Sequence, residues 1–193
     1  MALLSPSASK PTAQAAEASR DPAVIDAQLL AVFADRTLQS QVRELPKMEL
    51  AQVWLLTREA LEQQRLEANE PIESIQVHHQ LLKGLAGETL LVASSMVFRT
   101  LSEAEAFFDL SFKTIKSRLG GSLDTAASER ALRAARATLT AAEVHGSYDA
   151  ARAWMHTPNF ALGGAIPADL VKTADGERLV LNELQAQAEC GPL

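Results

Sequence analysis

Apolar residues recur at three and four residues along most of this chain, and that spacing constrains its fold more than any single motif. Leu50, Val53, Trp54, Thr57 and Leu61 fall on one side of a helix predicted from Met48 to about Asn69, with charged residues opposite. No run alternates as a half-buried strand would, and no repeat of solenoid length is visible. The segment "ETLLVASSMVF" is apolar enough for a buried strand, but its Ala, Leu, Met and Ser content and its helical flanks favour helix. The expected fold class is all-α.

Helix punctuation divides the chain. Asp21 followed by Pro22 suits a helix start, since the carboxylate caps free amides and proline tolerates the first turn; a short helix through about Arg36 should follow. "NEPIES" interrupts the pattern, because the residue before Pro71 is driven out of the helical region. Helix resumes over Ile72 to Leu82 and is loosened at Gly84 and Gly87. Ser102 and Glu105 have capping-box spacing, and a second short helix from about Ser111 to Leu119 is ended by Gly120 and Gly121. Two short helices around a tight turn is the helix-turn-helix plan. Asp124 caps the longest helix, whose buried stripe is Leu132, Ala135, Leu139 and Ala142. Ser147 opens another with Ala150, Ala151 and Trp154, and Thr173 starts the last, through about Ala188. The expected organisation is a disordered tail (1–20), an N-terminal helical extension (21–70), a helix-turn-helix region (71–122) and a C-terminal helical domain (123–193).

At 193 residues the chain can bury one sizeable core. Although 47% of it is hydrophobic, it has no run of about eighteen uncharged apolar residues, so no membrane partner is expected. The first twenty residues, rich in Ala, Ser, Pro and Thr, lack the organisation of a secretion signal. The single cysteine, Cys190, precludes an internal disulfide and fits a cytoplasmic setting. A net charge of −6 argues against coating nucleic acid by bulk attraction. One segment differs: over residues 111–136, Lys113, Lys116, Arg118, Arg130, Arg133 and Arg136 outnumber Asp124 and Glu129, six against two. On the second short helix, Phe112, Ile115 and Leu119 share the inner face. Ser111, Lys113, Thr114, Lys116, Ser117 and Arg118 are left as candidate DNA contacts, an ordinary solvated face being the competing reading.

Catalytic chemistry is poorly represented. Adjacent His78 and His79 cannot both face one metal and read as surface or interface residues. His145, beside Gly146, reads as a helix terminator acting through its partial charge, with Glu143 nearby at a solvated helix end. His156 has no nucleophile partner, and Cys190 reads as an incidental thiol. There is no dinucleotide fingerprint, phosphate loop, nucleophile elbow or zinc-ligand spacing. No metal or cofactor is expected, and the chain reads as a binder rather than an enzyme.

One stretch breaks the helical tail: "HTPNFALGGAIPADL", residues 156–170. Pro158 should end the Trp154 helix by constraining Thr157, Asn159 can bond locally, Gly163-Gly164 permit a reversal, and Pro167 can restart a helix. With its neighbours this stretch carries a resemblance. The motifs "LSFKTIKSRL", "LDTAASERALRAAR", "AAEVHGSYDAARAWM", "TPNFALGGAIPADL" and "TADGERLVLNELQAQAECG" follow in order, and from about Ile75 to Leu193 the chain resembles the Xre/MbcA/ParS antitoxins. The combination of Trp154, Pro158, Asn159, Leu162, Gly163, Gly164, Pro167, Thr173 and Gly176 is its most specific part. Two departures are visible: Asp109 stands where the family commonly has glycine in the turn, and Lys116-Ser117 where it usually has a second arginine.

The resemblance implies that residues 123–193 are a toxin-binding domain whose partner is a RES-domain, NAD-consuming, ADP-ribosyltransferase-like toxin. In that family the C-terminal segment approaches or plugs the toxin's NAD site, which carries the occluding role onto Glu189, Cys190, Gly191, Pro192 and Leu193. It further implies a homodimer within a toxin-antitoxin hetero-oligomer and, through the helix-turn-helix, operator DNA as a second partner for autorepression. Two alternatives compete: a DNA-binding regulator with a helical dimerisation domain and no toxin, and a helical scaffold with neither activity.

Overall fold

The computed structural model of the chain describes residues 21–45, 49–67 and 71–190. The expected tail, 1–20, lies outside the described residues, as do Gly191, Pro192 and Leu193. Eleven α-helices and no strand are present among the described residues: α1 (Pro22–Ala34), α2 (Arg36–Glu44), α3 (Leu50–Glu67), α4 (Ser74–Lys83), α5 (Thr89–Val97), α6 (Leu101–Phe108), α7 (Phe112–Ser117), α8 (Thr125–His145), α9 (Tyr148–Met155), α10 (Pro167–Leu170) and α11 (Ala174–Glu189), with a 3-10 turn at Phe160–Leu162. The chain is all-α, and the apolar run at 89–97 is helix. No helix of the described residues is long and apolar enough to cross a membrane.

Helix α8 is the axis of the molecule, packed by α1, α4, α5, α9 and α11. Its sequence explains this. Ala131, Ala134, Ala135, Ala137, Ala141 and Ala142 are buried with Leu132 and Leu139, so helices can approach it closely from several sides. The hydrophobic cluster runs without a break from Ile25 on α1 to Leu184 on α11.

Local signals place the helix starts. The side chains of Asp21, Ser111, Asp124, Ser147 and Thr173 each accept a backbone N–H of the first turn they precede. Two expectations need correction. The helix expected from Asp21 to Arg36 is two helices: Asp35 steps out to an extended conformation, and its carboxylate accepts the Leu38 amide at 2.8 Å to cap α2. The cap of α6 also lies two residues earlier than the Ser102–Glu105 pair, and it lacks the return bond to the N-cap amide that would complete a capping box. Thr100 caps Glu103 N–H, while the Glu103 carboxylate accepts Arg99 N–H at 2.9 Å. Glu105 instead accepts the Phe112 amide across the turn, bracing the start of α7 against α6.

Long-range polar contacts fix how these helices meet. Arg136 on α8 donates to both Asp26 oxygens on α1, at 2.6 and 3.1 Å, and to Glu177 on α11 at 2.5 Å. Burial works against the Arg136 charge, but the two carboxylates outweigh it and its pKa rises. One guanidinium thus joins the N-terminal extension to the C-terminal helix. Glu88, at the start of α5, accepts from Arg43 on α2 at 2.5 Å and from the Gly120 amide at 2.6 Å. Burial alone would raise its pKa, yet these donors hold it below the usual carboxylate range.

Candidate functional site

The corner at residues 156–170 is built almost wholly from its own backbone. Helix α9 ends at Met155, and Asn159 and Ala165 form an isolated bridge in which Asn159 N–H donates to Ala165 at 3.0 Å. The Asn159 side chain accepts the Ala161 amide at 2.8 Å, and the Gly164 amide returns to the Asn159 carbonyl at 2.9 Å. Gly163 and Gly164 both have positive φ, 67° and 82°. A Cβ at either would meet open space, so backbone handedness rather than crowding calls for glycine. Pro167 then opens α10, as its missing amide allows.

The turn raises Phe160 into solvent. Its ring is 97% exposed, the most exposed large hydrophobic residue among those described. The adjoining Ala161, Gly163 and Gly164 are also exposed, while Leu162 packs inward. Phe160 is absent from the residues singled out by sequence. A signal was available, since an aromatic between Asn159 and the glycine pair sits on a turn with no helical partner to cover it.

Below the corner, Thr173 and Gly176 explain each other. Thr173 Oγ1 accepts the Gly176 amide at 3.1 Å to cap α11. A Cβ on Gly176 would lie 2.0 Å from the Leu170 carbonyl oxygen, so glycine lets α10 run directly against α11. Helix α11 extends from this joint to Glu189, burying Val180 and Leu184 and ending at exposed Glu189 and Cys190. Between α8, α11 and the start of α1 lies a cleft of about 620 Å³, lined among others by Thr140, Val144, Leu181 and Gln185.

His145, His156 and Trp154 hold structure. Arg152 donates to the Ser95 and Met96 carbonyls, and His156 Nε2 lies 2.9 Å from the Val97 carbonyl, so α9 supplies partners for the last carbonyls of α5. The Arg152 guanidinium lies 4.3 Å from the Trp54 ring centroid; burial, aided by Arg99, pulls its pKa down to about 10, leaving it charged at neutral pH. His145 corrects the helix-charge reading. Burial lowers its pKa, so the ring at the end of α8, beside Trp154, favours the neutral form, and Gly146 in the left-handed conformation ends the helix. Exposed His78 and His79 stand side by side on α4.

The basic segment is smaller in space than in sequence. Arg136 is consumed by Asp26 and Glu177; Arg133 donates to the Lys172 carbonyl and Glu129, and Arg130 to the Phe108 carbonyl. Arg118 lies 3.6 Å from Asp124. Ser111 and Thr114 bond to each other at 3.0 Å, and Ser117 donates back to the Thr114 carbonyl. Lys113 and Lys116 remain exposed on α7. The turn before them keeps the geometry that glycine would give: Asp109 has φ 53° and ψ 42°, the only positive φ at a non-glycine residue among those described.

Of the proposed occluding residues, Glu189 and Cys190 are exposed at the end of α11; Gly191, Pro192 and Leu193 lie outside the described residues. No curated protein matches the chain. Residues 140–189, from the last turns of α8 through the corner to the end of α11, match the antitoxin Xre/MbcA/ParS C-terminal toxin-binding domain. The corner, the Thr173–Gly176 joint and the helix they aim therefore all lie within the stretch that is similar to this antitoxin toxin-binding domain.

Proposed function

We propose that this antitoxin neutralises a RES-domain, NAD-consuming toxin by bringing its C-terminal segment into the toxin's active site. The observation that carries the reading is the joint at Gly176: a 16-residue helix, fixed at its base and fastened at Glu177 by Arg136, leads out to the exposed Glu189 and Cys190. A short terminal segment can enter a concave pocket with little ordering cost when a rigid helix stands behind it. Phe160 supplies a second contact on this reading, because an exposed ring on a hydrogen-bonded turn buries apolar area against a partner without reorganising the loop.

The test is co-expression with the product of the neighbouring gene, on this reading a RES-domain protein, with cell survival, cellular NAD and complex mass as the readouts. Deleting residues 190–193 should abolish protection while leaving the melting temperature of the antitoxin unchanged. Full protection by the truncated chain would reject occlusion. Absence of any complex with the intact chain would reject the toxin assignment itself.

Autorepression by the homodimer is the second part of the proposal, and it rests on α6, α7 and the two exposed lysines. Replacing Lys113 and Lys116 with alanine should weaken promoter binding and reduce the homodimer's salt slope by about 4, since each of its four lysines neutralises one phosphate. A promoter that neither the free antitoxin nor the toxin complex shifts would remove this role.

A further inference from the structure

The N-terminal extension is fastened to the turn that follows α7, and it brings cations there. Arg43, in the last turn of α2, pairs with Glu88 at 2.5 Å, and the same Glu88 oxygen accepts the Gly120 amide at 2.6 Å. The Arg43 side chain nonetheless stays 49% exposed. At the other end of α2, Arg36 shares a groove of about 340 Å³ with Lys83 of α4, and Ser122 Oγ donates to the Lys83 carbonyl at 3.3 Å. Helix α2 and the end of α4 therefore both border the turn that directly follows Lys113 and Lys116.

Spacing puts the cations of α2 on one side. Arg36, Ser40 and Arg43 are all exposed and fall within about 60° of one another around the helix, with the two arginines about 10.5 Å apart along its axis. Glu44 stands about 100° round from Arg43. The other nearby carboxylates are engaged: Asp35 by the Leu38 amide, Glu88 by Arg43 and Gly120, and Asp124 by the Ala127 amide and Arg118. A chain of net charge −6 thus gathers Arg36, Arg43, Lys83, Lys113 and Lys116 from three separate helices around one turn. The partner that fits is a polyanion long enough to reach from α7 to α2. A DNA backbone carries about one charge per 3.4 Å of rise on each strand, so cations at this separation meet phosphates without an exact register. Ser40 can donate to a phosphate oxygen between them. From this strip we infer that α2 is a second DNA-contacting element, in which Arg36, Ser40 and Arg43, with Lys83 beside them, hold the phosphate backbone next to the groove that α7 enters. The inference rests on the reading of α7 as a DNA-binding helix and adds to it a sequence-independent clamp supplied by the N-terminal extension.

Fluorescence anisotropy of the full chain across a salt series tests it, on the chain's own promoter duplex and on an unrelated duplex of equal length. Arg36→Ala is the variant of choice, because Arg43 also holds Glu88. The homodimer's salt slope should fall by about 2 on both duplexes, one phosphate for each of two arginines, with the preference for the promoter unchanged. Ser40→Glu should lower affinity for both duplexes as well, and unchanged thermal melting will establish that the two variants are folded. An unchanged slope in Arg36→Ala, with promoter binding still weakened by replacing Lys113 and Lys116, would overturn this inference and leave the reading of α7 standing. No binding of either duplex by the wild-type chain would overturn both. Loss of toxin affinity in Arg36→Ala, with DNA binding unaltered, would overturn it in favour of an acidic protein surface as the partner of α2.

Discussion

Leu-Gly-Gly occurs twice, at 119–121 and 162–164, and the two copies are held by different forces. At the first, Gly120 donates to Glu88, Gly87 donates to the Gly121 carbonyl, and Leu123 donates to Leu85 at 2.8 Å. That copy is a tertiary fastener, pinning the chain after α7 to residues before α5. At the second, the backbone hydrogen bonds of the glycine pair stay within residues 159–165. It is a self-contained turn whose exposed side offers Phe160. The same tripeptide thus does opposite work: one copy contributes to stability through partners far away in sequence, and the other holds a shape that a partner can meet.

Substitutions can break this contrast or sharpen it. The largest effect is expected at Arg136, the fastener that joins α1, α8 and α11. Arg136→Ala leaves two largely buried carboxylates unpaired and should cost about 3–5 kcal/mol in denaturant titration. Adding Asp26→Asn and Glu177→Gln should recover part of that loss.

Next come the glycines themselves. A Cβ at Gly87 would stand 1.9 Å from the Arg118 carbonyl oxygen, so Gly87→Ala should force backbone apart and lower stability by about 2–3 kcal/mol. Gly164→Ala meets open space and bears only its left-handed backbone, about 1–2 kcal/mol. Equal losses at the two sites would dissolve the distinction between the turns.

Acid should separate them too. Because the folded pKa of Glu88 lies below its unfolded value, its contribution is complete above about pH 4.3 and is lost as pH falls through the lowered pKa. Thermal melts should weaken in that window, and Glu88→Gln should flatten the acid limb. The smallest stability change belongs to Phe160→Ala, within about 0.5 kcal/mol by thermal melt, since the ring is almost wholly exposed. Toxin affinity should nonetheless fall about tenfold or more if Phe160 is an anchor.

The helices were legible because their signals are local. Asp21, Ser147 and Thr173 cap the turns they precede, and α8 shows its alanine stripe in spacing alone. Where two local signals competed, pattern was a poorer guide. Ser102 and Glu105 fit the capping-box spacing as well as Thr100 and Glu103 do, and the helical pattern runs on across Asp35, where the fold starts a new helix. In the candidate site, the Asn159–Gly164 turn was legible for the same reason, its hydrogen bonds closing within a few residues.

Charge was misleading where it turned inward. Arg130, Arg133 and Arg136 count as a basic stretch along the chain, yet each is bonded to a carbonyl or carboxylate inside the fold, leaving the exposed lysines of α7. Spacing shows only the distance between neighbours along one helix, whereas Asp26 is 110 residues from Arg136. The sequence by itself determined the helices, their caps and the shape of the second Leu-Gly-Gly turn, because those depend on interactions within a few residues. The tertiary structure decided which arginines are consumed, why Gly87 and Gly176 admit no side chain, and that Phe160 remains uncovered. Burial is set by what packs against a residue, and spacing within its own helix does not carry that information.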